Sequence, residues 1–336
     1  MLSRVANSLC WMSRYIERAE NVARIVDVNL QLLLDFRSLN DQRLKEYWVP
    51  IVRSTGDEAL FRQLYTEATG HTVTDFLTFR AENLNSILSS VAQARENARV
   101  VRDQITAEMW EEINRLYLFL RSPRAREVLK STPHEFFHEI KVSSLYLQGL
   151  MDATIPHSEG WNFIQVSKFL ERADKTTRIL DVRHQKLPAR GFPRVATPND
   201  TLEWAALLRS CSAWDAYRQI HADVEPRRVA EFLLLSEDFP RSVHYCLSAF
   251  DAALRSISGV PPRRFSNPAE KLSGRLLAEI QFSSIDDIFT EGFHEYLDSL
   301  QQKFNAIGEA LFATYIFQPF SIASEEIQQQ QQQQQQ

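Results

Sequence analysis

The amino-acid sequence predicts an all-α protein made of two tandem copies of one helical-bundle unit, followed by a disordered polyglutamine tail. Three observations favour this fold class. Only 9 glycines and 13 prolines occur among the 336 residues, which is too few for a turn-rich β fold. Apolar residues recur at the spacing of three and four residues that is typical of amphipathic helices. Segments of the first half also recur, in the same order, in the second half.

The internal repeat is clearest around one long helix. Residues 14–28 lie over residues 168–182, so that Glu17 lies over Glu171 at an offset of 154 residues. Later matches have an offset of 156 residues: Trp48 over Trp204, Phe76 over Phe232, Ser86 over Ser242, and Phe137-His138-Glu139 over Phe293-His294-Glu295. The extra residues fall between 187 and 200, a proline-rich stretch typical of a loop. The predicted domains are therefore residues 1–155 and 156–322, with the tail at 323–336.

Apolar periodicity predicts the helices of each copy. The first long helix presents a stripe without polar members, made of Met12, Ile16, Ala19, Ala23, Val26 and Leu30. A second long helix is predicted from 83 to 120, because its apolar stripe continues without a break over that range. Shorter helices are predicted at 46–53, 58–69 and 134–154, and together they would complete a bundle.

Composition limits the classes of partner and compartment. A formal net charge of −5 and a pI near 6.0 give the whole chain no electrostatic footprint for nucleic acid or anionic lipid. No window reaches the 18 apolar residues of a membrane span, and charged residues interrupt the N-terminal helix where a secretion signal would need an apolar run. The three cysteines form no CxxC pair and are interpreted as buried thiols. We therefore expect a cytoplasmic protein without nucleic-acid or membrane partners.

Charged residues of the first helix of each copy form the first candidate ligand- or partner-binding site. They are Arg14, Glu17, Arg18 and Asn21 in copy one, and Glu171 and Arg172 in copy two. On a helical wheel Arg18 lies beside apolar neighbours, so its guanidinium needs an anionic partner. Two interpretations stay open: a structural salt bridge to a neighbouring helix, or recognition of a carboxylate or phosphate.

A second charged cluster occurs in copy one alone. It consists of Arg95, Glu96, Asn97, Arg99 and Arg102. Copy two has Asp251, Arg255 and Ser258 at the three arginine positions, so the scaffold does not require the cluster. We expect an anion-binding or partner-binding surface here, close to Glu17-Arg18; the alternative is a helix interface specific to copy one.

The segment from His134 to His138 matches the zinc signature HExxH, in which two histidines one helical turn apart hold a metal and the glutamate polarises water. A match of five residues arises easily by chance on an amphipathic helix. The sequence offers no clear third ligand, and copy two has Thr290 at the position of His134. We expect neither metal nor cofactor, and no phosphate-binding loop or nucleophile motif supports catalysis.

Several segments together resemble the bacterial alpha-E domain family, which is named for its helical content and its Glu-Arg motif. The segments are Met1-Leu2-Ser3-Arg4-Val5-Ala6, Arg14-Tyr15-Ile16-Glu17-Arg18-Ala19-Glu20-Asn21, the stretch from Ala94 to Asp103, Trp204-Ala205-Ala206-Leu207-Leu208-Arg209-Ser210 and Phe239-Pro240-Arg241-Ser242-Val243. They occur in the family's order, and the likeness covers about residues 1–320.

The resemblance implies a set of partners. Members of the family look like companions of circularly permuted ATP-grasp ligases, transglutaminase-like cysteine peptidases and a proteasome-like peptidase. It thus implies a non-catalytic helical partner, or substrate-presenting subunit, of an ATP-grasp amide (peptide) ligase system. Two alternatives stay open: a metal-dependent hydrolase or other enzyme with a site hidden between helices, and a purely structural, dimerising helical bundle. Formation of a homo-oligomer is compatible with each.

Overall fold

A computed structural model describes residues 1–35, 41–182 and 198–316, and this part of the chain contains helices and no strands. The all-α prediction is therefore confirmed for the described residues. The polyglutamine tail and most of the proline-rich stretch at 187–200 lie outside them.

The described residues form sixteen helices. In chain order they are α1 (Ser3–Asp35), α2 (Asp41–Ser54), α3 (Glu58–Leu64), α4 (Gly70–Thr78), α5 (Ile87–Val100), α6 (Ala107–Arg121), α7 (Pro123–Ser131), α8 (Pro133–Thr154), α9 (Glu159–Asp181), α10 (Pro198–Ser210), α11 (Trp214–Ile220), α12 (Pro226–Leu235), α13 (Val243–Ser258), α14 (Pro268–Phe282), α15 (Ile285–Glu291) and α16 (Phe293–Tyr315).

Two four-helix bundles form the body of the fold. In the first half α1 packs on α5 and α8, and α6 packs between those two helices. In the second half α9 packs on α13 and α16, and α14 packs between them. The bundles meet where α1 packs along α9, so both long helices are buried on more than one side. This explains why α9 buries polar as well as apolar side chains.

The short helices tie the two halves together. Helix α10 packs on α1, and α2 packs on α9, so each half covers the long helix of the other. Trp48 of α2 and Trp204 of α10 are almost fully buried in one apolar cluster that draws on both predicted domains. The two halves therefore share a core, while the boundary predicted at residue 155 stays a prediction.

The predicted second long helix is wrong, because the chain forms two helices there. Helix α5 ends at Val100, and α6 begins at Ala107 after the N-cap residue Thr106, whose side chain accepts a hydrogen bond from the backbone N–H of Met109. The break has no glycine or proline to reveal it. Val101 and Ile105 remain buried, so the apolar stripe runs through the turn and imitates a continuous helix.

The helix predicted at 58–69 is also too long, and two short helices were missed. Helix α3 ends at Leu64, and a capping box at Thr69 starts the separate helix α4. Helix α7 was missed too, although Ser122 as N-cap and Pro123 at the first helical position are a local start signal.

The cysteines are buried free thiols, as predicted. Burial raises the pKa of Cys10 to about 11 and the pKa values of Cys211 and Cys246 to about 12. None of the helices in the described ranges is long and apolar enough to cross a membrane.

The N-cap residue of α13 allows a stability prediction. Ser242 is fully buried at the start of α13, where its hydroxyl accepts from the backbone N–H of Tyr245 at 3.0 Å and donates to the carbonyl of Ser236. We expect Ser242→Ala to lower the free energy of unfolding by about 1–2 kcal/mol, because it leaves that N–H and that carbonyl without their partner. Urea unfolding measures the change. The exposed Ser256→Ala should cost less than about 0.5 kcal/mol, and equal losses would contradict the capping role.

Candidate functional site

The two Glu-Arg pairs of the chain lie against each other where α1 crosses α9, and each arginine binds the glutamate of the other pair. Arg18 donates from Nε to Oε1 of Glu171 at 2.8 Å and from Nη2 to Oε2 at 3.2 Å. Arg172 donates from Nε to Oε1 of Glu17 at 2.9 Å and from Nη2 to Oε2 at 2.8 Å. The result is a reciprocal pair of two-pronged ion pairs, which is the strongest geometry that guanidinium and carboxylate groups form.

These ion pairs are buried. Glu17 and Glu171 are each 1% exposed, and Arg172 is 6% exposed. Burial alone would raise the pKa of Glu17, but Arg172 and Arg241 outweigh it and lower that pKa to about 2. Burial likewise opposes ionisation of Glu171, whereas Arg18, Lys175 and Arg14 hold its pKa well below the usual range. Both carboxylates are therefore charged at every physiological pH.

Additional partners surround Glu17. Arg241, from the turn before α13, donates from Nη1 to Glu17 at 3.0 Å and also binds Glu20. Gln148 of α8 accepts from Arg172 at 2.9 Å and donates to Glu20 at 3.0 Å. Five polar side chains from four parts of the chain thus share one buried network.

The surroundings of Glu171 differ from those of Glu17 in the residue that supplies the additional positive charge. Asn85 stands at the position that corresponds to Arg241 in the predicted repeat. It accepts a hydrogen bond from Arg18 at 2.8 Å and donates to the carboxylate of Asp57 at 3.0 Å, and it carries no charge. The missing cation is supplied by Lys175, whose ammonium lies 3.2 Å from Asp174 and 3.6 Å from Glu171. Lys175 in turn corresponds to the neutral Asn21 of α1. A positive charge therefore bridges the two acids on both sides, but it comes from different elements.

We call the two Glu-Arg pairs and the side chains that bind them the Glu-Arg centre. Its carboxylates and guanidinium groups are paired with one another, which favours the structural interpretation of Arg18 and Arg172 over ligand recognition. Arg14 also binds Glu171 at 3.0 Å, and Asn21 donates to the side chain of Glu17 at 3.2 Å. A ligand-binding role for these residues stays a prediction. The cavity beside Arg18, lined also by Asn85, Lys175 and Arg178, has a volume of about 10 Å³, which is room for one water molecule.

The second predicted cluster lies elsewhere. Arg95 donates to Asn114 of α6 at 2.7 Å and to Glu96 at 2.9 Å, and Arg99 binds Glu96 at 2.7 Å. The side chain of Asn97 donates to the backbone carbonyl of Gln93 on its own helix. These contacts run along α5 and to α6, whereas the contacts of Arg18 run to α9 and Asn85, so the structure does not join the clusters into one surface as the sequence suggested.

The first histidine of the HExxH match is bound to a carboxylate of α1. His134 hydrogen-bonds to the buried carboxylate of Asp27 at 3.1 Å, and Lys141 binds the same carboxylate at 2.5 Å. In the parts of the chain that the structure describes, no group of three His, Cys, Asp or Glu side chains could hold a metal ion. His294 of α16 makes a similar contact in the second half, with Asp181 at 2.6 Å.

Sequence reasoning missed several residues of the centre. They are Arg241, Gln148, Asn85 and Lys175. The first three lie far along the chain from the residues they bind, so no local pattern marks them. Lys175 lies only one helical turn from Glu171. The self-comparison held a usable signal at two pairs of positions, Lys175 with Asn21 and Arg241 with Asn85, where a charge appears in one half alone.

The fold and its centre define an all-helical protein whose halves are joined by reciprocal Glu-Arg ion pairs. The chain belongs to the Alpha-E family, described as a predicted alpha-helical domain with a conserved ER motif, and the family model matches residues 1–316. This match confirms the resemblance found in the sequence.

The relatives that match are themselves uncharacterised. Uncharacterised proteins of Mycobacterium bovis and Mycobacterium tuberculosis are 25% identical to the chain over 346 residues, which covers 94% of this chain and 37% of theirs. The chain thus spans little more than a third of the length of these curated relatives. No solved structure matches it.

The buried pairs predict a large effect of removing one partner. We expect Arg172→Ala to lower the free energy of unfolding by about 3–5 kcal/mol, because Glu17 keeps its charge but loses its two-pronged partner. Thermal and urea unfolding measure the loss. The exposed Arg62→Ala, which removes a surface pair with Glu58, should cost less than about 1 kcal/mol. Equal melting temperatures for the two variants would refute a structural role of the pair.

Lys168 gives a prediction about pH. It corresponds to Arg14, and burial, followed by repulsion from Arg172, lowers its pKa from 10.5 to about 8 despite the opposing effect of Glu17. The folded protein therefore pays for a charged Lys168 at pH 7, and this penalty disappears as the pH rises from about 8 to 10.5. We expect Lys168→Met to stabilise the fold by about 1–3 kcal/mol at pH 7. The advantage, measured by urea unfolding, should shrink over that range; an advantage independent of pH would contradict the assignment.

Proposed function

We propose that the protein is a non-catalytic helical partner, or substrate-presenting subunit, of an ATP-grasp amide ligase system, and that it works in the cytoplasm. The observation that carries the proposal is the reciprocal binding of the two Glu-Arg pairs. Because Arg18 and Arg172 are held by internal carboxylates, the motif builds a rigid scaffold. A scaffold of this kind suits a protein that acts by positioning another molecule.

The length of the relatives supports the proposal. In the mycobacterial proteins the matched region is 37% of a longer chain, so there the helical region is covalently joined to further sequence. A helical unit that is joined to further sequence in a longer chain is held beside that sequence, as a partner subunit must be. A circularly permuted ATP-grasp ligase is the proposed partner, with a transglutaminase-like peptidase as a further companion.

We also infer that the chain arose by tandem duplication of a unit of about 155 residues, with copies at 1–155 and 156–322 and the glutamine-rich tail outside them. Helices α3, α4 and α5 begin 156 residues before α11, α12 and α13. The contacts of His134 with Asp27 and of His294 with Asp181 favour an offset of 160 for the last helices. The offset of 160 differs by four residues, about one helical turn, from the offset of 156 read in the sequence. The second half therefore has additional residues between α13 and α14.

Association with a ligase tests the function. The full chain is co-expressed with the circularly permuted ATP-grasp ligase of the same organism, and the two are analysed by gel filtration and by ATP-dependent amide formation. We expect co-elution, and product formation that falls when this chain is omitted. A ligase that is fully active alone and never associates would overturn the proposal. Metal analysis of the same preparation is the control for the hydrolase alternative, which requires about one equivalent of zinc.

A further inference from the structure

We propose that the outer face of α5 and α6 is the docking surface for an acidic segment of the partner protein, and this inference rests on the proposed function. Three arginines and two aromatic rings form this surface. We call it the arginine ladder, and it consists of Arg95, Arg102, Arg121, Trp110 and Tyr117.

The rings hold the guanidinium groups in place. The guanidinium carbon of Arg95 lies 5.5 Å from the ring centre of Trp110 and 4.8 Å from that of Tyr117. Arg102 lies 5.1 Å from the ring centre of Trp110, and Arg121 lies 5.6 Å from that of Tyr117. Stacking on a ring face orients a guanidinium and leaves its N–H edges free to donate, which reduces the entropy lost when a carboxylate binds.

The ladder has unused capacity for anions. Within the described part of the chain Arg102 and Arg121 have no acidic partner; Arg121 only donates to the hydroxyl of Tyr117 at 3.0 Å. Both side chains are exposed. Arg99 adds a further exposed cation beside them, 67% accessible and paired only with the exposed Glu96. Among the described residues the ladder thus presents two exposed guanidinium groups that bind no carboxylate of the protein.

The second half shows that the fold does not need the ladder. Asp251 and Ser258 occupy the positions of Arg95 and Arg102, and the Asp251 carboxylate binds Arg255 on its own helix. At the offset of 160 residues that aligns the buried positions of α6 and α14, Glu270 and Leu277 replace the two aromatic residues. Rings and arginines are therefore absent together, as expected if they serve one purpose beyond folding.

Charge and spacing favour a short acidic peptide segment over nucleic acid. Arg95 of α5 and Arg102 of the turn after it both stack on the ring of Trp110, at 5.5 and 5.1 Å from its centre. Their guanidinium carbons therefore lie within about 11 Å of each other, a distance that an extended segment of about four residues can span. Exposed acids border the ladder at Asp103, Glu108 and Glu111, and they would repel a long polyphosphate. Separate carboxylates can approach the arginines between these acids and form two-pronged ion pairs.

Direct binding of a defined probe tests the ladder. The probe is a fluorescein-labelled peptide of six glutamates, measured by fluorescence anisotropy at low salt with the full chain. Arg102→Gln with Arg121→Gln should weaken binding at least about tenfold, because it removes two guanidinium groups and no internal ion pair. The matched control, Arg62→Gln with Arg228→Gln, removes the same charge from exposed sites elsewhere and should leave binding unchanged. Circular dichroism should show the same melting temperature for wild type and ladder variant.

Other outcomes overturn the inference. Absence of hexaglutamate binding, or equal weakening in the ladder and control variants, rejects the surface. Tighter binding of a six-nucleotide oligothymidylate than of hexaglutamate assigns the surface to nucleic acid instead.

Ligase association of the same variants separates the two proposals. Association that survives in the ladder variant refutes the ladder and leaves the proposed function standing. Hexaglutamate binding without ligase association refutes the proposed function and leaves the ladder assigned to another acidic partner.

Discussion

The rest of the structure depends on two carboxylates that are charged inside the protein. Glu17 and Glu171 are almost completely buried, and isolated charges in that position would prevent folding. Each is neutralised by an arginine from the other half, so neither α1 nor α9 can bury its polar face alone. Such pairs add little net stability over apolar packing, because desolvation offsets most of the attraction. What they impose is register, since only one alignment of the two helices lets both pairs form.

The fixed alignment of α1 along α9 explains the shared core. Once α1 and α9 are aligned, α2 and α10 can each cover the long helix of the other half, and the two tryptophans Trp48 and Trp204 become buried in one cluster. The halves are thus interlocked by packing as well as by charge. A separated half would expose both a charged and an apolar face.

The centre is symmetric in charge but not in residues. One bridging cation, Arg241, comes from a turn, and the other, Lys175, comes from α9 itself, while Asn85 and Asn21 fill the opposite positions. The buried charge is therefore balanced in both halves, although different residues supply the bridging cation. The ladder on α5 and α6 differs in this respect, because Arg102 and Arg121 are exposed and Arg95 pairs with Glu96 of the same helix, which is not a buried acid.

Sequence alone determined the helical class and the family, because composition, helical periodicity and the order of motif segments can be read along the chain without knowledge of its contacts. It did not reveal the break between α5 and α6, since buried Val101 and Ile105 continue the apolar pattern through the turn. Only the tertiary structure decided that Arg18 binds Glu171 and that Arg95 turns to α6. A charged side chain takes the nearest partner in space, and across 153 residues of chain no spacing rule states which partner that is.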